Sequence, residues 1–148
     1  MDKHQKQILL TALDKFGTVE VRVGGWSMWP FIRHNETIVV AKEMKTPYLG
    51  KVIAFFNENQ LIAHRVAWSR PKGNGSADFW VLGDFSQFSL SRIDSRQVIG
   101  TVSGLKVDGF RNLWLIQPFC VFALIIGFIL RGILSINKLV KWIFRPIS

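Results

Sequence analysis

Residues 51–68, "KVIAFFNENQLIAHRVAW", place two short apolar runs on either side of the turn formers Asn57, Glu58, Asn59 and Gln60. Both runs are rich in β-branched or aromatic residues, and such a run bounded by turn residues reads as a β-strand. Similar runs lie on both sides, "TVEVRV" at 18–23, "ETIVVA" at 36–41, "DFWVLG" at 78–83 and "QVIGTVSGLKV" at 97–107. Turn-forming segments such as "RHNE" at 33–36 and "PKGNGSAD" at 71–78 separate them. Short strands at this spacing predict a mainly β fold, a small antiparallel sheet or partly closed barrel. Ahead of it, Ile8, Leu9, Ala12, Leu13 and Phe16 recur at helical spacing and stop at Gly17, which predicts a short amphipathic helix over 2–16 with a glycine at its C-terminus. Acids interrupt that segment and no long apolar core follows, so it is not a secretory signal.

The 148 residues suit one small domain, and the 49% hydrophobic content is high for a soluble domain of that size. The excess is concentrated late. Residues 113–130 carry no formal charge and are about long enough to cross a hydrocarbon core of ~30 Å as a helix, although Gln117 and Pro118 weaken its first turns; the alternative is a core helix, for which a small β domain has few surfaces to cover so apolar a segment. Beyond them Arg131, Ser135, Lys138 and Arg145 fall on one helical face, with Ile133, Ile136, Val140, Ile143 and Phe144 on the other, the pattern of a helix lying flat at a membrane interface with Trp142 at the headgroups. The expected organisation is therefore an N-terminal helix at 1–18, a β domain at 19–110, and a membrane helix with a basic amphipathic tail helix at 111–148.

Charge agrees with that division. The net charge is +9, and residues 112–148 hold four basic residues and none of the 10 acids. Basic residues beside an apolar run, without a helix-turn-helix, RNA-binding or zinc pattern, point to anionic lipid rather than nucleic acid. The single cysteine, Cys120, lies inside the apolar run, which excludes an intramolecular disulfide and argues against a thiolate nucleophile or a cysteine metal site. No cofactor or metal is expected, and the sequence leaves the oligomeric state open.

Chemistry centres on "GGWSMWPFI", residues 24–32, where two of the six tryptophans flank Ser27. A serine hydroxyl is a weak nucleophile without a base, and Ser27 read alone is equally a turn serine. Of the three histidines, His4 belongs to the helical leader and His34 to a turn, whereas His64 sits in a strand that would hold an imidazole in fixed position. Asp84, where the strand "VLGD" ends, is the candidate third member. Met28 and Phe31 read as pocket wall or core, and Trp26 and Trp29 as either core or interfacial anchors.

The order of these segments resembles a family. "GWSMWPFI" is similar to the Ser-Met-x-Pro box of the signal peptidase and LexA-like S24/S26 serine peptidases, "NETIVV" to the strand after it, and "LGKVIAFF" to their Gly-Asp-hydrophobic strand. "LIAHRVAW" resembles the general-base box, and "VLGDFSQFSLSRIDSRQVIGTV" the Gly-Asp box with the strand that follows. His64 followed by Arg-Val is similar to the histidine-type signal peptidases of archaea and the endoplasmic reticulum. The resemblance covers about residues 20 to 106. It implies a β-rich peptidase fold with Ser27 as nucleophile, His64 as base, Asp84 orienting or stabilising the imidazolium, an apolar surface at the bilayer that Trp26 and Trp29 would seat, and a peptide or preprotein substrate.

The sequence departs from that pattern in three places. The ungapped position of a second aspartate holds Ser89, Leu90 and Ser91, with Asp94 the nearest acid; Gly25 stands where many signal peptidases have an oxyanion-donating serine; and the apolar run follows the catalytic segment instead of preceding it. Two topologies remain open, one in which the late helix directs translocation of the domain and one in which the domain stays cytosolic on an interfacial anchor. Two other functions also stand beside the peptidase: a catalytically silent peptide-binding relative, and a LexA-like self-cleaving regulator, for which the leader is too short and an Ala-Gly dipeptide before Ser27 is absent. The tail reading predicts that truncation after Val107 releases the β domain from membranes in a flotation assay, and pelleting of the truncated form with lipid would place the anchor elsewhere.

Overall fold

The N-terminal helix α1, Lys3–Phe16, begins and ends on signals written in its sequence. The computed structural model shows Asp2 as its N-cap, with the Asp2 side chain accepting from the Gln5 backbone N–H and the Gln5 side chain accepting from that of Asp2. This reciprocal capping box satisfies two of the donors a helix start leaves over. Gly17, at φ 72°, closes the helix by donating to the Leu13 carbonyl, a left-handed conformation that glycine adopts without penalty. The structure describes residues 1–42, 49–73, 75–85 and 90–106, with the isolated positions 125, 126, 129, 132 and 133.

Seven strands follow: β1 Thr18–Arg22, β2 Thr37–Ala41, β3 Val52–Asn57, β4 Gln60–Pro71, β5 Ala77–Leu82, β6 Ser91–Asp94 and β7 Val98–Leu105. They form one antiparallel sheet in the order β1-β2-β7-β3-β4-β5-β6, curved into a half-barrel with β1 and β6 at its free edges. Six of these strands match the apolar runs of the sequence. β6 does not, because only Ile93 of its four residues turns inward and no alternation is visible in so short a strand.

The central strand β3 explains the opening stretch of sequence. Val52 and Ala54 pack into one cluster with Ile38, Val40 and Val102, while Ile53 and Phe55 pack into a second with Val66, Phe79, Val81 and Ile93. Successive strand residues point to opposite faces, so a strand buried on both must be apolar throughout, and "VIAFF" is. Gly100 of β7 is the closest approach in the sheet: a Cβ there would lie 2.3 Å from the Ala41 carbonyl oxygen, so only glycine admits β2 and β3 on either side of β7.

The expected membrane helix and tail helix fall almost wholly outside the described residues. Among the described residues no helix is long and apolar enough to cross a membrane.

At the β5–β6 edge, Lys72 bridges Asp78 at 2.6 Å and Asp94 at 3.0 Å, while Arg92 and Arg96 complete the pairs on Asp78 and Asp94. The hydrogen bond from Lys72 holds Asp78 below the ordinary carboxylate value of 3.8, and that from Arg96 holds Asp94 well below it. Its own bonds to Asp78 and then to Asp94 raise Lys72 above 10.5. The depressed carboxylates stabilise the fold above pH 3.8 and lose that contribution as pH falls through their folded values. The raised lysine stabilises it below pH 10.5 and loses its share as pH rises through its folded value. Lys72→Met should therefore lower the urea midpoint modestly at neutral pH, with the gap from wild type closing towards both limits; a gap that is constant with pH would contradict the network.

Candidate active site

Ser27 lies in the connection from β1 to β2, whose neck is closed by backbone bonds from Val23 to the Glu36 carbonyl and from Asn35 to the Val23 carbonyl, both 2.9 Å. Inside the neck the chain turns back on itself through Trp29 N–H to the Trp26 carbonyl and Ile32 N–H to the Met28 carbonyl. Met28 and Ile32 are buried in the first apolar cluster, which pins the turn to the sheet and leaves Ser27 half-buried at its surface. Met28 is thus both core and cavity wall. The Trp29–Pro30 peptide is cis.

His64 is carried by β4 opposite Ile53 of β3, its ring in a T-shaped contact with that of Phe55 at a centroid distance of 6.0 Å. Its Nδ1 is buried. Ser27 and His64 line one cavity of about 210 Å³ with Gly24, Met28, Ile32 and Leu61 among its walls. The structure thereby gathers two residues that are 37 positions apart in sequence.

Asp84 is held differently. It is fully buried, and its two carboxylate oxygens accept from Nε and Nη2 of Arg65, each at 2.7 Å. Arg65 is itself fully buried and donates through Nη1 to the Gly50 carbonyl at 2.7 Å, with its guanidinium 5.4 Å from the Phe31 ring centroid. The residue after Asp84 closes the circuit: the Phe85 N–H donates to the Ser27 carbonyl at 2.8 Å, and the Phe85 ring meets Trp29 edge-on at 5.1 Å. Asp84 therefore fixes the segment that holds the Ser27 turn. The sequence carried a signal for this pair, since an arginine within "LIAHRVAW" must find an acid once the strand is buried.

Asp94, the nearest acid to the position of a second aspartate, is built into other work. It is the N-cap of the short 3-10 helix Ser95–Gln97 and pairs with Arg96 and Lys72. The sheet register aligns Asp94 with Asp78 and Asp78 with Arg70, six residues along β4 from His64, or about 20 Å at strand rise.

The Gly25 N–H, a candidate oxyanion donor, instead donates to His34 Nδ1 at 2.9 Å. His34 also stacks on Trp26, with ring planes 14° apart. Gly25 has φ 89°, so a serine at this position would be strained even though the space for it is open. His34 belongs to the turn segment "RHNE", where no local pattern marks a bond spanning nine positions. Trp26 and Trp29 are not core residues, being 60% and 36% exposed. Among the described residues no group of His, Cys, Asp and Glu is arranged to hold a metal ion.

Comparison with known proteins finds no matching family model and no curated protein similar to this chain.

The buried pair yields a stability prediction that separates scaffold from chemistry. Asp84→Asn leaves the Arg65 charge without its counter-ion and should cost about 3 kcal/mol in urea unfolding, whereas Ser27→Ala should stay within about 0.5 kcal/mol of wild type. The double change Arg65→Met with Asp84→Leu should recover much of that loss. An Asp84→Asn protein as stable as wild type would remove the pair from its structural role.

Proposed function

We propose that this chain is a membrane-associated serine endopeptidase of the signal-peptidase type, cleaving a signal or leader peptide with Ser27 as nucleophile and His64 as general base. The observation that carries the reading is the common cavity of Ser27 and His64. In the reaction, neutral His64 takes the proton as Ser27 Oγ attacks the scissile carbonyl, and returns it to the leaving amine as the tetrahedral intermediate collapses. Water then hydrolyses the acyl-enzyme with His64 again as base. Apolar walls at Met28, Ile32 and Leu61 and a volume of about 210 Å³ favour a peptide with small residues before the scissile bond. Trp26 and Trp29 stand exposed on the Ser27 turn, where indole rings favour the headgroup layer, so substrate and enzyme would meet at the bilayer surface.

Asp84 enters this mechanism as a positioning residue. Through Arg65 it holds β4 one residue from His64, and through the Phe85 N–H its segment holds the serine turn. The second reading, a catalytically silent peptide-binding protein, is favoured by one observation: the Gly25 N–H is engaged by His34 instead of pointing to a substrate oxyanion.

Cleavage of a signal-peptide-like substrate by purified protein distinguishes the two. Ser27→Ala and His64→Ala should each fall to the same low residual rate, because nucleophile and base act as a unit. Wild-type cleavage should decline as acidity protonates the base. Near-normal turnover in His64→Ala alone would assign the base elsewhere, and no change in either variant would favour the silent reading.

A further inference from the structure

The outward face of β4, β5 and β6 carries a patch that chemistry at Ser27 does not use. The register lines up Trp68, Trp80 and Arg92 in one row and Arg70, Asp78 and Asp94 in the next. Between these rows the intervening residues Phe79 and Ile93 turn inward to the core, so the two indoles belong to the opposite, solvent-facing side. Trp68 is 65% exposed and Leu90 56%, and with Trp80 and Pro71 they border a shallow groove. The Arg92 guanidinium lies 5.9 Å from the Trp80 ring centroid.

The charges around the patch are unbalanced. Asp78 is bonded by Lys72 and Arg92, and Asp94 by Lys72 and Arg96, so the acids are already neutralised while Arg70 adds a further cation at the groove. Two indoles, a leucine and a surplus of positive charge match the layered chemistry of an anionic bilayer surface: phosphate outermost, ring-accommodating headgroups beneath, acyl chains below. A single-stranded nucleic acid also uses aromatic and arginine side chains, but it needs stacking faces throughout, and Leu90 and Pro71 supply none.

We propose that this face, Trp68, Trp80 and Leu90 ringed by Arg70 and Arg92, docks the β domain on anionic lipid. The assignment goes beyond the peptidase reading and rests on it only for the presence of a bilayer. Docking here would fix the orientation of the sheet at the membrane by a contact separate from the apolar tail.

The test uses the full chain with Cys120→Ser and Leu90→Cys, the new thiol carrying an environment-sensitive fluorophore, beside a control labelled at Thr11→Cys on the exposed side of α1. Mixed phosphatidylglycerol and phosphatidylcholine vesicles should shift the Leu90 label to the blue and leave the Thr11 label unchanged. High salt should reverse the shift, and Arg70→Gln with Arg92→Gln should weaken embedding of the label on the order of tenfold. Flotation of the protein with an unshifted Leu90 label would overturn the proposal while leaving membrane attachment by the tail intact. Absence of flotation would remove both. A shift produced by a single-stranded oligonucleotide and not by vesicles, or a label already shielded from iodide without lipid, would assign the patch to nucleic acid or to protein contact and equally overturn it.

Discussion

The Arg65–Asp84 pair is the point at which separate segments of this sheet are made into one object. Two opposite charges at zero exposure are stable only when every donor and acceptor is met, because the loss of hydration on burial rivals their attraction. Here the guanidinium reaches two carboxylate oxygens and the Gly50 carbonyl, and lies beside Phe31. Four stretches of chain thereby share one side chain: β4 itself, the approach to β3, the segment after β5 and the Ser27 turn. An apolar residue at position 65 would pack, yet it would not specify where those four ends meet.

That arrangement fixes where β4 meets the Ser27 turn. His64 and Arg65 are neighbours on β4, so alternation sends the His64 ring to the face of Ile53 and Phe55, and Arg65 to the opposite face, towards Asp84 and Phe31. A register slip of one residue would exchange the two, placing a charge beside Phe55 and an imidazole opposite Asp84. The apolar pairing of β3 with β4 resists this, because Ala63 and Val66 of β4 would each leave their own core cluster for the opposite face.

Much of the fold is legible in local pattern. The capping pair Asp2 and Gln5, the stop at Gly17 and the six apolar strands all follow from residues close together in the chain. The candidate site is less so. Ser27 and His64 can be picked out by residue type and by the family they resemble, but the partner of Asp84 depends on a contact across 19 positions and the partner of Gly25 on one across nine. Asp94 is the nearest acid in sequence to the position of a second aspartate, while "DSRQ" at 94–97 also spells a capping box, and the structure uses it as that. β6 escapes notice because pairing with β5, rather than its own composition, makes it a strand.

The bond from the Phe85 N–H to the Ser27 carbonyl is main chain to main chain. Substitution at either position leaves it in place, with proline at 85 the exception, since only proline lacks the donor. The link between the Gly-Asp segment and the serine turn is thus insulated from drift in side-chain identity. Two chains with quite different residues at 27 and 85 would keep the same spatial coupling, so loss of the hydroxyl at 27 need not bring loss of the turn that presents it.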